Sequence, residues 1–488
     1  MKVRTHLFFF LITVISTVFF FEAKAQETQR ENLNCFSILV GKNATIDGSV
    51  MFAHNEDDSG DRLVNWYKVP HENHNEGETI TLKNGAVMNQ AKETWSYFWL
   101  EIPEMEFSDT YINEWGVIIS SDACRSREKE PELTDGGIGY WLRRAMAERA
   151  RSAKEAVKIG GELVEKYGYS SSGRTYCIAD PNEAWMMAVV NGKHWVAQRI
   201  PDDHVAIIPN YYTITAVNLF DTANFLGSPD IFDYAIQKGW LDPAAPSGYN
   251  FRELYSDPGN LEAPVNKIRH WRSINMLSEK QYNIDDELPF SFKLKEKISL
   301  TDLFKVLRDH NEGSEYDETD NYTKGNPHEM GRTICSNTTQ YGFVAQLRSD
   351  MPVEVGAVIW LAPFRQCVHP FVPWYFGMIN MPENFATGTY DKALQNHFEE
   401  IDNVFEFAPD HHFLKFVKDA KAIDEDYGNR IVQIQTDVEA FESELLEKQE
   451  AFEKDILIIY NEQPELAKEK LTEYSKKQIK RAVKMTED

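Results

Sequence analysis

The sequence predicts an α+β layered fold carrying a helical C-terminal extension. Strand-like runs come in groups, at residues 35–41, 49–54, 115–121, 175–179, 184–190 and 204–208, and again at 332–335 and 355–361. Helical patterns lie between the groups, clearest at 140–166, where Ala, Arg, Glu and Leu dominate, and shorter at 300–309. Grouped strands separated by helices favour layered α+β packing over a doubly wound sheet. From about residue 383 the texture becomes helical. Val438, Phe441, Leu445, Phe452, Ile456 and Ile459 recur at mostly three- and four-residue steps amid Glu and Lys, which makes one apolar stripe on a solvated helix. A second helix follows over 464–484. At 42% hydrophobic and 12% aromatic, the 488 residues can bury a substantial core.

The N-terminal end reads as a targeting segment. Lys2 and Arg4 precede an uncharged apolar run over 7–21, and Ala23-Lys24-Ala25 supplies the small-x-small pattern of a signal-peptidase site. The run falls short of the roughly 20 residues a spanning helix needs. The expected plan is therefore a signal peptide at 1–25, a propeptide at 26–34, a catalytic domain at 35–382 and a helical extension at 383–488. The mature chain is expected outside the cytoplasm, secreted or periplasmic, with no membrane contact. The net charge of −26 would be repelled by nucleic acid or an anionic membrane face, and suits small or cationic substrates. The extension either caps the mouth of the site or builds an interface in a homo-oligomer.

At Cys35 the chain changes abruptly from polar to strand-like. Residues 42–48, ending in Asp47-Gly48, read as the turn of a hairpin. Folding about Ile46 would bring Cys35 beside about Asp57, since antiparallel partners sit at equal distances from the turn. Three roles compete for Cys35: a lipid-attachment cysteine, a buried structural thiol, and a nucleophile exposed when the residues before it are removed. The third has a chemical logic. A free thiol with a pKa near 8.5 is only a few per cent thiolate at neutral pH. An α-amino group, with a pKa of about 7.7 to 8.0, is a base within a few ångströms of the thiol on the same residue.

The stretch Cys35 to Gly41, with Asp47-Gly48-Ser49 and Ala53-His54-Asn55-Glu56-Asp57-Asp58, resembles the opening of the dipeptidase A family of secreted N-terminal-nucleophile cysteine peptidases. That family is similar in layout to penicillin V acylase, bile salt hydrolase and acid ceramidase, and the resemblance covers roughly residues 35–380. It implies a four-layer αββα sandwich, Cys35 as nucleophile, and Asp57 orienting the α-amine and thiol. His54 stands where relatives often carry arginine. Asn113-Glu114-Trp115-Gly116 resembles the family turn before a strand ending near Ser121 and Asp122, where a backbone N–H forms half of the oxyanion hole. Ile207-Ile208-Pro209-Asn210 resembles the segment whose asparagine supplies the other donor, Asn210. Arg269-His270-Trp271-Arg272 resembles the site of an arginine that supports charge at the nucleophile, with Arg269 aligning better than Arg272. His54, Ser121 and Asp122 are expected around the substrate.

Other chemistry has less support. The remaining cysteines, 124, 177, 335 and 367, are either buried thiols or partners in up to two disulfides. None of the five makes a CxxC pair, and His310, His328 and His369 show no ligand spacing, so no metal or cofactor is expected. No Gly-rich phosphate loop is present. The reading is a secreted, self-processing cysteine dipeptidase acting on small peptides. An amidase or acylase of N-acyl amines, and an exported non-catalytic lipoprotein acylated at Cys35, are the alternatives.

Overall fold

A computed structural model describes residues 35–58, 62–244 and 249–487. The expected signal peptide and propeptide lie outside the described residues. Two antiparallel sheets dominate. The first has seven strands in the order Ser291–Lys293, His204–Ile208, Phe36–Val40, Val50–Asp57, Thr339–Leu347, Ala357–Pro363 and Val372–Tyr375. The second has eight, in the order Phe225–Gly227, Trp195–Arg199, Ala184–Gly192, Tyr169–Ala179, Ile118–Ala123, Thr110–Asn113, Tyr97–Glu101 and Asn65–Val69.

A strand covered on one face alternates buried and exposed residues. Here every residue of Phe36–Val40, Val50–Asp57 and Thr339–Leu347 is buried, so both faces are covered. One face meets the second sheet. Helices Pro264–Leu277 and Leu300–Leu307 pack on the other, while helices Tyr140–Arg149 and Ala153–Tyr167 pack on the outer face of the second sheet. The result is helix, sheet, sheet, helix: the four-layer αββα arrangement that the family resemblance implied. Ile112, Ile118, Met186 and Val190 of one sheet share an apolar cluster with Phe36, Ile38 and Phe52 of the other.

Three local readings change. Residues 332–335, expected as a strand, form none and belong to an irregular stretch before strand Thr339–Leu347. The helical run at 140–166 is two helices, because Ala150 is extended and Ser152 starts a new helix by accepting the Glu155 N–H. The second hairpin strand runs on to Asp57 instead of stopping at His54. The C-terminal helices Tyr427–Glu462 and Pro464–Met485 match the stripe in the sequence, with Val438, Phe441, Leu445 and Ile456 buried. The first of them also buries Glu442 against Arg308 and Glu453 against Arg348. No described helix is long and apolar enough to cross a membrane.

Candidate active site

Cys35 immediately precedes the central strand Phe36–Val40, so the two flanking strands set its surroundings. On one side Phe36 pairs with Asn55, which puts Cys35 level with Glu56. Its Sγ donates to Glu56 Oε1 at 3.1 Å. The expected register is therefore corrected by one residue. The turn is closed by Asp47, whose Oδ1 accepts from Ser49 N (3.1 Å) and Ser49 Oγ (2.7 Å), and by Gly48 at φ +76°. This centres the hairpin between Thr45 and Ile46. On the other side Ser37 pairs with Ile208, so two residues further on Asn210 is level with Cys35.

Asp57 still borders the site. Its carbonyl oxygen lies 4.0 Å from Cys35 Sγ. Its carboxylate Oδ1 accepts from Thr339 Oγ1 and Ser336 Oγ. Its Oδ2 is buried with no hydrogen-bond partner among the described residues.

Burial raises the Cys35 thiol well above its ordinary pKa, and Glu56, Asp122 and Asp57 add to the rise while Arg174 opposes it. Burial likewise pushes Glu56 up to about 8, Asp57 to about 7 and Asp122 to about 6. The pocket thus disfavours a thiolate until a cation or base joins it.

His54 is buried mid-strand. Its Nδ1 lies 2.7 Å from Ser37 Oγ, and its Nε2 lies 3.1 Å from both Glu56 Oε2 and Ser120 Oγ. Burial lowers its pKa to about 4, so at neutral pH it is an uncharged ring bridging two hydroxyls and the Glu56 carboxyl group. Fixed positive charge comes instead from Arg143 and Arg174, which converge on Ser121 Oγ from a helix and a strand. Asp122 ties the sheets together by accepting from Ser37 Oγ at 2.6 Å. The strand Ile118–Ala123 pairs with Thr110–Asn113 only as far as Ile119, whereas its other ladder continues to Ala123. Ser121 and Asp122 therefore sit beyond the end of one ladder.

The two arginines of helix Pro264–Leu277 separate cleanly. Arg269 is fully buried and donates to Asn210 Oδ1 (2.5 Å), Pro209 O (3.2 Å) and Cys35 O (3.5 Å). Arg272 is bound by Asp309, with contacts of 2.6 to 3.0 Å. Asn210 has φ +77°, a left-handed conformation that asparagine tolerates. Its Nδ2 donates to Ala123 O at 3.2 Å, which leaves its second amide hydrogen for a ligand.

The model of peptidase family C69 matches residues 34–426. The chain belongs to this family. It is 30% identical over 375 residues to a probable dipeptidase of Latilactobacillus sakei, covering 74% of this chain and 78% of the relative. To dipeptidase A of Lactobacillus helveticus it is 27% identical over 370 residues, covering 72% and 77%. Penicillin V acylase from Agrobacterium tumefaciens superposes with a TM-score of 0.33 at 11% identity, covering 67% of this chain and 86% of that one. The resemblance drawn from residues 35–58 is borne out, and the chain is a hydrolase of the cysteine-peptidase class.

In this peptidase the fold brings Cys35, Asp57, Ser121, Asp122 and Asn210 to neighbouring strand ends, His54 to the middle of one of those strands, and Arg269 to one helix. Reading the sequence missed Glu56, Arg143 and Arg174. Glu56 was hidden by the one-residue register error. The arginines carry no local signal, since each is one cation among many until the sheets stack. The sequence also treated His310 and His328 as scattered, yet they meet Cys335 and Cys367 with donor atoms within 4.8 Å of one another. Among the described residues all five cysteines are free and buried. His369 is held apart, on Phe364 O and Asp419.

Proposed function

We propose that this peptidase is a dipeptidase activated by removal of residues 1–34, with Cys35 as nucleophile and its own α-amine as base. The observation that carries the reading is the orphaned Asp57 Oδ2, a buried carboxylate oxygen at the end of the strand beside Cys35. Buried carboxylates demand partners. An α-ammonium released at Cys35 is a cation suited to that oxygen, and it also eases thiol ionisation in a pocket crowded with carboxyl groups.

In the mechanism the α-amine takes the thiol proton, and sulfur attacks the substrate carbonyl. Asn210 Nδ2 and a backbone N–H near Ser121 or Asp122 hold the oxyanion. Arg269 acts through Asn210, fixing its amide by donating to Oδ1. The amine then protonates the departing nitrogen, and water hydrolyses the thioester. Dipeptides are the favoured substrates because the relatives above are named dipeptidases. The basic start, apolar run and Ala23-Lys24-Ala25 support export, and with it a working enzyme outside the cytoplasm.

Intact-mass and N-terminal analysis of the purified protein tests the processing. A free Cys35 terminus is expected, whereas an active chain that begins at Gln26, or is lipidated at Cys35, would end the proposal. Turnover of dipeptides measured against N-acyl amino acids then decides between dipeptidase and acylase.

A further inference from the structure

The segment from Arg308 to Thr338 links helix Leu300–Leu307 to strand Thr339–Leu347 with a single 3-10 turn, Pro327–Glu329, as its regular structure. So long an irregular stretch pays a large entropic cost to stay ordered. This one must stay ordered, because Ser336 and Thr339 at its end hold the Asp57 carboxylate. Along it stand His310 near the start, His328 in the second half and Cys335 near the end, and these three meet Cys367 from the turn after strand Ala357–Pro363.

We infer that His310, His328, Cys335 and Cys367 form a structural zinc site that staples this segment to the sheet. All four side chains are buried, and their donor atoms lie within 4.8 Å of one another. A tetrahedral zinc with Zn–S of about 2.3 Å and Zn–N of about 2.0 Å spaces its donors by roughly 3.3 to 3.8 Å. Cys367 Sγ and His328 Nε2 are already 3.5 Å apart.

The imidazoles are also oriented as ligands. His310 Nδ1 faces Glu312 Oε1 at 3.0 Å, and His328 Nδ1 faces Asp424 Oδ1 at 2.9 Å. A carboxylate behind each ring fixes the tautomer that presents Nε2 as a lone pair, the usual support of a metal-bound histidine. His310 Nε2 is buried without a hydrogen-bond partner among the described residues. Binding would release two thiol protons, and two thiolates with two neutral imidazoles would leave a zinc(II) site with no net charge, suited to burial. Two sulfurs and two nitrogens in a closed tetrahedron select zinc over hard cations, and no donor position remains open for catalysis.

The test uses the full chain, purified without chelator. Metal analysis is expected to find one zinc per chain in the wild type and in Cys35→Ala, and none in Cys367→Ala. The cobalt(II)-substituted wild type should show tetrahedral visible bands with thiolate charge transfer. X-ray absorption of the zinc form should give two sulfur and two nitrogen neighbours. Stripping the zinc should lower Tm by at least about 5 °C. The wild-type measurements keep the test valid if Cys367→Ala fails to fold. A metal-free chain with Cys335 linked to Cys367 as a disulfide would overturn the inference. So would a metal-free chain with both thiols open to alkylation, or zinc lost in Cys35→Ala, which would place it on Cys35, His54 and Glu56.

Discussion

Two buried clusters in this chain are built from the same side-chain types and end in opposite states. At Cys35 a carboxyl group stands directly against the sulfur, and the histidine has both nitrogens engaged by Ser37, Glu56 and Ser120. At Cys367 the carboxylates stand behind the histidines, which turns an imidazole nitrogen toward the sulfur. The difference teaches that carboxylate placement decides a buried cysteine's chemistry. In front, it keeps the thiol protonated until a base arrives. Behind, it prepares a ligand set.

The largest break comes from Cys35→Ala, which should retain the propeptide at 26–34 and abolish turnover while leaving the other cluster's metal content unchanged. Intact mass and metal analysis read both halves of that statement. Next is Asn210→Gly, which removes the proposed side-chain oxyanion donor yet accepts φ +77°. It should lower kcat by about 10²- to 10³-fold with little change in KM; unaltered kcat would remove Asn210 from the oxyanion hole.

The arginine pair sharpens the contrast further. Arg269→Lys should lose most activity while staying folded, since it disturbs the hold on Asn210. Arg272→Lys should instead cost about 1–3 kcal/mol of stability with kcat nearly kept. That is below the roughly 3–5 kcal/mol of a broken fully buried pair, because the Arg272 side chain is 20% exposed. Equal kinetic losses in the two variants would show that the helix, not Arg269, matters.

The smallest effect is a pH dependence. Burial raises Glu56 from 4.5 to about 8, so the folded state keeps a proton that the unfolded chain releases. Its contribution to stability is complete below about 4.5 and is lost as pH rises to about 8. In a Cys35→Ala background, Glu56→Gln should gain a few degrees of Tm relative to its parent between pH 5 and pH 8.5. Parallel Tm curves would show that Glu56 titrates normally.

How much was legible follows from how far apart the cooperating residues lie in the chain. The hairpin was readable because Asp47-Gly48 and its flanking strands are contiguous. Its register slipped by one because the exact centre depends on how Asp47 and Ser49 bond within the turn. The C-terminal helices were readable from a periodic stripe, but their buried Glu442 and Glu453 were not, since the arginines they meet are more than 100 residues away.

By itself the sequence determined the α+β class, the helical extension and the family, all of which are written in local pattern or in residue order. Only the tertiary structure decided which arginine serves Asn210, that Arg143 and Arg174 stand near His54, and that two histidines and two cysteines from separate turns share one pocket. These depend on chain crossings between sheets and loops, and spacing along the chain carries no information about distance once a segment folds back.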